Sequence, residues 1–235
     1  MTDQELLTKV RSLRLADLSD GMDAIGLVGT GTMSSRMRPL RPGIAAAGLA
    51  YTVKLVPTQA DVKVCRTIEE YNQELGRWCQ DTYAFTGGLR TSGKDKMVVV
   101  DMDGFPGGLW GSAIGMDSVK WGCAGVVLDG GCRDSYECNL EQLNVWCTAR
   151  TFNHVYGRLA NGGVNVPIFC DGVAVNAGDI VCADDDGVLV IPRGRAEEVV
   201  VFAEAILADD QRSRAKSYKE LGLKPDETLG KFGKG

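Results

Sequence analysis

The chain has 235 residues, of which 44% are hydrophobic and 24% are charged, and its formal net charge is −5. This length and composition predict a single globular α/β domain over residues 1–235. An acidic balance without basic clusters argues against nucleic-acid binding, and no apolar run reaches the roughly 18 residues of a membrane helix. The first residues lack the apolar core of a secretory signal, which predicts a cytoplasmic protein.

Eight cysteines are scattered through the chain without the close pairing of a metal-binding motif, and there is a single histidine. The cysteines are therefore expected to be reduced core residues, and a structural zinc site is disfavoured. Any bound metal should be a hard cation held by oxygen atoms.

Apolar residues three and four apart over residues 2–27 predict two short amphipathic helices. Asp17 and the Ser19-Asp20 pair are the candidate caps between them. Small and β-branched residues over 44–56 predict one or two strands, and residues 68–83 have a helical pattern.

Residues 97–101 predict a buried strand that ends in a polar side chain. The glycine-rich loop 105–111, a helix from residue 112 and an apolar strand over 124–129 follow. This order is that of a βαβ unit in a parallel sheet, where ligands bind beyond the carboxyl ends of the strands.

Strand-like runs separated by Asp-Gly and Gly-Asp turns over residues 164–192 predict antiparallel pairing, so the sheet should be mixed. A charged amphipathic helix is expected from Arg195 to about Leu221. The fold class predicted is therefore α/β, a mixed sheet with flanking helices and a C-terminal helix.

The glycines of loop 105–111 allow a ligand to approach the backbone, and the helix that follows directs free N–H groups toward it. A small carboxylate or phosphate suits such a site. The alternative is a tight strand-to-helix turn in which glycines satisfy only the local geometry. Trp110 adjoins the loop and is a candidate wall of the pocket.

Arg133 and Asp134 follow the strand over 124–129 at the same predicted sheet edge. A guanidinium can hold a carboxylate or a developing enolate, and a carboxylate can bind a divalent cation. The alternative is a surface ion pair. We interpret Cys132 as a packing residue and His154 as an ordinary half-buried histidine rather than a catalytic base.

Several blocks occur in the order found in one known family. The chain resembles the class II pyruvate aldolase family of 4-hydroxy-4-methyl-2-oxoglutarate aldolases, which includes the regulator of ribonuclease activity A. The resemblance covers roughly residues 15–215. Its blocks are DLSDGMDAIG, PGGLWGSAIG, GCAGVVLDGGCRD and VPIFCDGVAVNAGDIVCADDDGVLVIP.

The resemblance implies a swivelling-type β/β/α fold and a homo-oligomer, trimer or hexamer, with its site between subunits. It implies that Arg133 binds the pyruvyl or enolate oxygen of a 2-oxo acid and that Asp134 ligates Mg²⁺ or Mn²⁺. The substrate carboxylate would be held by the backbone of Gly111, Ser112, Ala113 and Ile114.

Two acidic positions of those aldolases are not matched clearly in this chain. Those aldolases carry an acidic residue ahead of the Arg-Asp pair where this chain has Ser112, and the missing acid puts proton transfer in question. A further acid comes from the C-terminal helix of a neighbouring subunit, for which Asp210 is the nearest match and Asp209 the next.

The predicted function is a metal-dependent lyase, releasing pyruvate from a 4-hydroxy-2-oxo acid by retro-aldol cleavage or decarboxylating oxaloacetate. A non-catalytic binding protein like the ribonuclease regulator is one alternative. A related enolate-forming enzyme that acts on another acid is a second.

Overall fold

A computed structural model describes residues 1–233 of the chain. They form two compact units, a terminal unit of Met1–Gly29 with the described residues from Gly194 onward and a central unit of Thr30–Arg193. The expectation of one domain over residues 1–235 stays a prediction. Among the described residues, no helix combines the length and apolarity that a membrane span requires.

The helices are α1 (Asp3–Val10), α2 (Leu15–Ala24), α3 (Ile68–Thr82), α4 (Thr86–Ser92), α5 (Ser112–Lys120), α6 (Ser135–Leu140) and α7 (Ala196–Leu221). The strands are β1 (Arg38–Pro39), β2 (Ala46–Pro57), β3 (Lys96–Asp101), β4 (Gly108–Trp110), β5 (Gly125–Cys132), β6 (Val145–Arg150), β7 (Leu159–Val164), β8 (Ile168–Cys170), β9 (Val173–Val175), β10 (Ile180–Ala183) and β11 (Val188–Ile191). Short 3-10 turns lie at Arg193–Arg195 and Glu227–Gly233.

The central unit is built on a mixed sheet with the strand order β1-β6-β5-β3-β2-β10-β11, to which β4 adds on β5 and β7 on β2. Strands β2, β3, β5 and β6 are parallel, whereas β10 and β11 pair antiparallel with each other. Strands β8 and β9 form a separate antiparallel pair. The α/β class and the mixed sheet predicted from the sequence are confirmed.

Both faces of the sheet are covered, as the unbroken apolar run of β3 requires. Val98 and Val100 belong to one buried cluster, which also contains Phe85 and Trp110. Met97 and Val99 point the other way, into a cluster with Trp146. The carboxyl ends of β3 and β5 are thus held by packing from two sides.

Three details differ from the sequence predictions. Strand β5 continues through Cys132 because its last residues pair with β4 and β6, and the glycine-rich loop itself contains β4. The predicted caps were wrong, since α2 begins at Leu15 and Asp17 lies in its first turn. The Asp17 carboxylate accepts a hydrogen bond from the Arg14 backbone N–H at 3.1 Å, so it still satisfies a free donor at the helix start.

In the terminal unit, α2 packs on α7 through a small residue. A Cβ on Gly21 would lie 2.7 Å from the Val199 carbonyl oxygen, so only glycine allows the two helix backbones to come this close.

Gly48 in strand β2 allows this strand to lie close to the backbone at the start of β3. A Cβ at Gly48 would lie 2.5 Å from the Asp95 carbonyl oxygen, so we expect Gly48→Ala to lower the free energy of unfolding by about 1–3 kcal/mol. Gly76→Ala, in the open middle of α3, is the matched control and should raise it by up to about 1 kcal/mol. Urea unfolding of both variants tests this, and equal stabilities would contradict it.

Candidate active site

The Arg133-Asp134 pair leaves the end of β5 in a fixed backbone conformation. The Arg133 N–H donates to the Trp110 carbonyl oxygen at 2.8 Å, which ties the pair to β4. Asp134 has φ 51° and ψ 40°, the left-handed conformation that aspartate tolerates better than most residues, and it begins α6. This turn takes the chain directly from strand to helix and places both side chains at the sheet edge.

Two buried thiols hold the peptide that joins Arg133 to Asp134. The Sγ atoms of Cys132 and Cys138 lie 3.3 and 3.5 Å from the Arg133 carbonyl oxygen. The hydrogen bond with Cys138 and burial both raise the pKa of the Cys132 thiol, so it is protonated and unreactive at neutral pH. None of the eight cysteines, all of which lie in the described part of the chain, forms a disulfide, and the geometry supports Cys132 as a packing residue.

The glycines of the 105–111 loop make room for these two side chains. A Cβ on Gly108 would overlap Cγ of Arg133, and one on Gly111 would lie 2.5 Å from Oδ2 of Asp134. Both side chains therefore lie flat on bare backbone. This is a different use of the glycines from the ligand approach or tight turn that the sequence suggested.

Gly130 and Gly131 of β5 allow the strand to approach the backbone of the 105–111 loop closely. A Cβ at these positions would lie 2.8 Å from the Phe105 carbonyl oxygen and 2.9 Å from that of Gly107. The strand and the loop backbone therefore approach closely, the Met102 and Thr151 side chains also pack on these two glycines, and the carboxyl end of β5 lies against β4.

A cavity of about 340 Å³ opens over this edge, within the usual range of small-ligand sites. Five of its lining residues were predicted from the sequence, namely Gly111, Ala113, Ile114, Arg133 and Asp134. Gly108 and Leu109 also line it and belong to the predicted 105–111 loop, whereas four others were not assigned to the site, namely Cys79, Tyr83, Asp117 and His154.

The cavity presents unsatisfied donors. Nε of Arg133 is buried without a hydrogen-bond partner in the described structure, and it lies 3.7 Å from Oδ1 of Asp134, beyond hydrogen-bonding distance. The first hydrogen bond of α5 runs from the Gly115 N–H to the Gly111 carbonyl oxygen, so the N–H groups of residues 112–114 have no acceptor within the helix. A cation and a helix N-terminus thus face the same space, an arrangement that favours a small anion.

Ser112 has another partner. Its hydroxyl donates to Oε1 of Glu141 at 2.7 Å, and the side chain is not among those that line the cavity. Oε2 of Glu141 is buried and has no hydrogen-bond partner within residues 1–233. The position where an acid was expected therefore contacts a carboxylate that is supplied from the end of α6.

Trp110 does not wall the cavity, contrary to the expectation from its place in the sequence. It is buried in the core and stacks on Phe85 with ring centroids 6.4 Å apart. The reason is that Trp110 lies in β4, where successive side chains alternate between faces.

Asp210 lies on α7 in the terminal unit, where it pairs with Arg14 at 2.9 Å and with Arg214 at 3.3 Å. Partial burial opposes ionisation, but the two guanidinium groups lower the pKa of Asp210. Asp209, the second candidate, is an exposed residue paired with Arg212.

The described residues contain no group of three or more His, Cys, Asp or Glu side chains arranged to hold a metal ion. Asp134 is nevertheless a suitable single ligand. Its side chain is 40% exposed, and neither carboxylate oxygen accepts a hydrogen bond in the described structure. Mg²⁺ is commonly held by one or two carboxylates, with water and substrate completing its shell.

The packing of Arg133 and Asp134 on glycine can be tested directly. In crystal structures, Gly108→Ala should displace the Arg133 side chain and Gly111→Ala should displace that of Asp134. Each should lower the free energy of unfolding by about 1–3 kcal/mol. Gly87→Ala, where a Cβ meets nothing within 4 Å, is the control. Unmoved side chains in both variants would contradict this account.

Comparison with known proteins finds relatives that match nearly the whole of this chain. A protein of Halalkalibacterium halodurans named "Putative 4-hydroxy-4-methyl-2-oxoglutarate aldolase" is 26% identical over 222 residues, which cover 94% of this chain and 92% of that protein. Protein DlpA of Legionella pneumophila is 28% identical over 90% of this chain, but the match spans only 31% of DlpA.

Solved structures show the same fold. Streptomyces coelicolor RraAS2, described as an unusual member of the RNase ES inhibitor RraA protein family, has a TM-score of 0.75 and 25% identity, covering 92% of this chain and all of that one. The model of the RraA-like family, described as Aldolase/RraA, matches residues 15–190. Because the match spans most of the chain and includes the whole cavity lining, the protein belongs to the RraA-like family.

Proposed function

We propose that the protein is a divalent-metal-dependent lyase acting on 2-oxo acids. It would release pyruvate from a 4-hydroxy-2-oxo acid by retro-aldol cleavage or decarboxylate oxaloacetate. The observation that carries the proposal is the buried Nε of Arg133, which makes no hydrogen bond in the described structure, 3.7 Å from the Asp134 carboxylate in the lining of one small cavity. The aldolase name of the Halalkalibacterium relative supports it.

Arg133 supplies the fixed positive charge. An enolate concentrates negative charge on the oxygen of the former 2-oxo group, and a preorganised guanidinium stabilises that charge more strongly than it binds the neutral ketone. The backbone N–H groups of Ser112, Ala113 and Ile114 would hold the substrate carboxylate, so the two anionic ends of one molecule are recognised by different donors.

Asp134 would hold Mg²⁺ or Mn²⁺. When bound, such an ion polarises the 2-oxo group and lowers the energy of the enolate. The contribution of the chain is to fix the Asp134 carboxylate against Gly111 at the edge of the cavity. Its left-handed backbone conformation and its contact with bare backbone limit where that carboxylate can lie.

Proton transfer needs an acid that Ser112 cannot supply itself. We assign this role to Glu141, because it accepts the Ser112 hydroxyl hydrogen bond and its Oε2 has no hydrogen-bond partner in the described structure. We further propose a cytoplasmic homo-oligomer, trimer or hexamer, in which Asp210 of a neighbouring subunit completes the site.

A second candidate is a non-catalytic binding protein similar to the ribonuclease regulators. Ser112 in place of an acid favours it, and so does the likeness to RraAS2. This candidate predicts a protein partner and no metal-dependent turnover.

The lyase proposal is tested by incubating the protein with Mg²⁺ and a panel of oxaloacetate and 4-hydroxy-2-oxo acids, and measuring pyruvate. We expect pyruvate release that a chelator abolishes. Arg133→Ala should lower kcat/KM by about a hundredfold or more, because the charge that stabilises the enolate is lost. Arg90→Ala, an exposed arginine on α4, should leave it unchanged. No release across the panel would favour the binding protein.

The shared-site proposal predicts complementation between inactive chains. Asp134→Asn keeps a residue that tolerates the left-handed conformation but removes the metal-binding charge, and we expect it to abolish activity. Asp210→Asn should also impair activity, and reassembly of a mixture of the two variants should restore part of it. Asp23→Asn, which changes an exposed carboxylate on α2 that does not line the cavity, is the control. A fully active monomer on sizing would overturn this proposal.

A further inference from the structure

His154, the single histidine of the chain, lies in the cavity wall beside the residue that supports Arg133. It forms a parallel β-bridge with Gly108, whose N–H donates to the Asn153 carbonyl oxygen at 2.8 Å. Because Arg133 packs on the same Gly108, the imidazole and the guanidinium flank one stretch of backbone.

The hydrogen bond at Nδ1 decides which ring nitrogen carries the proton. Nδ1 of His154 accepts from the Tyr156 backbone N–H at 2.9 Å. A neutral imidazole has one N–H, so with Nδ1 acting as an acceptor the proton must be on Nε2.

The Nε2 donor makes no hydrogen bond within the described chain, and His154 is half-buried in the cavity lining. Neither of its aromatic neighbours accepts from it in the described structure, since Trp78 has no acceptor atom and the Tyr83 hydroxyl oxygen is not hydrogen-bonded to the ring. Nε1 of Trp78 donates to the Leu159 carbonyl oxygen at 3.0 Å, and the Tyr83 hydroxyl donates to that of Leu109 at 2.8 Å. The ring packs edge-on against Trp78, with centroids 5.4 Å apart.

The surroundings favour the neutral imidazole. Burial, and after it the positive charges of Arg133 and Arg158, lower the pKa of His154 to about 4, although the Asp134 carboxylate opposes the shift. At neutral pH the ring therefore adds a hydrogen-bond donor to the cavity without adding a charge.

We infer that His154 is a further substrate-contacting residue, whose Nε2–H donates a hydrogen bond to an oxygen of the 2-oxo acid held by Arg133. The inference rests on the proposed function. A neutral imidazole can polarise a carbonyl oxygen and share the charge of the enolate without giving up its proton. While Nδ1 accepts the Tyr156 N–H, Nε2 cannot accept a proton, so His154 acts as a donor and not as the base.

A single histidine makes the test unambiguous by NMR. In tag-free, ¹⁵N-labelled protein, long-range ¹H–¹⁵N spectra at pH 7 should show the Nε2-protonated tautomer. The probe is oxalate, a planar analogue of the enolate, added with Mg²⁺. Its binding should shift the Nε2 resonance. An Nδ1-protonated or charged ring, or an Nε2 signal unchanged at saturating oxalate, would overturn the inference.

Variants supply an independent measurement. His154→Leu should weaken oxalate binding and lower kcat/KM by about tenfold, the effect of one lost hydrogen bond. His154→Gln, which retains an N–H donor, should recover part of both. Phe152→Leu, an exposed residue of the same loop, is the control. Wild-type values of both measurements in His154→Leu would overturn the inference.

The wild-type protein separates this inference from the proposed function. If it neither releases pyruvate from the panel nor binds oxalate, the proposed function fails and the role of His154 fails with it. If it does both while the Nε2 resonance and the His154→Leu variant show no effect, the role of His154 alone is wrong.

Discussion

The site depends on one contact, the close approach of the end of β5 to the backbone of the 105–111 segment. Gly130 and Gly131 allow the two backbones to touch, and Gly108 and Gly111 leave the surface on which Arg133 and Asp134 lie. A methyl group at any of the four would meet a protein atom within 2.9 Å. Arg133 and Asp134 thus occupy space that Gly108 and Gly111 leave open, and close packing of the surrounding sheet makes their position rigid.

Much of this fold is predictable because its signals are local. The apolar run of β3, the helical pattern of α3 and the Asp-Gly turns each depend on a few neighbouring residues. The purpose of the glycines was not predictable, since a sequence shows where a side chain is missing but not which distant side chain fills the space. Arg133 and Asp134 were identified by their place at a strand end, whereas Tyr83 and His154 reach the cavity only through tertiary packing.

The partner of Ser112 illustrates the same limit. From the sequence, a serine at that place indicates a lost acid, and this interpretation led to the binding protein as an alternative. In the structure the hydroxyl contacts Glu141, which is remote in sequence and comes close because α5 and α6 flank the same strand. A missing functional group at one position therefore does not establish its absence from the site, because a neighbouring element can supply the same chemistry.

The cavity holds several groups in states that do not favour folding, as functional sites commonly do. Asp134 has a left-handed backbone, and Nε of Arg133 is buried without a partner. His154 adds a pH-dependent term. Since burial and then the nearby cations lower its pKa to about 4 from 6.5, the unfolded chain takes up a proton that the folded chain does not, and stability falls as the pH drops through this window. A substrate anion that satisfies the Arg133 and His154 donors would bind only the folded state, so it would restore stability where the empty site reduces it.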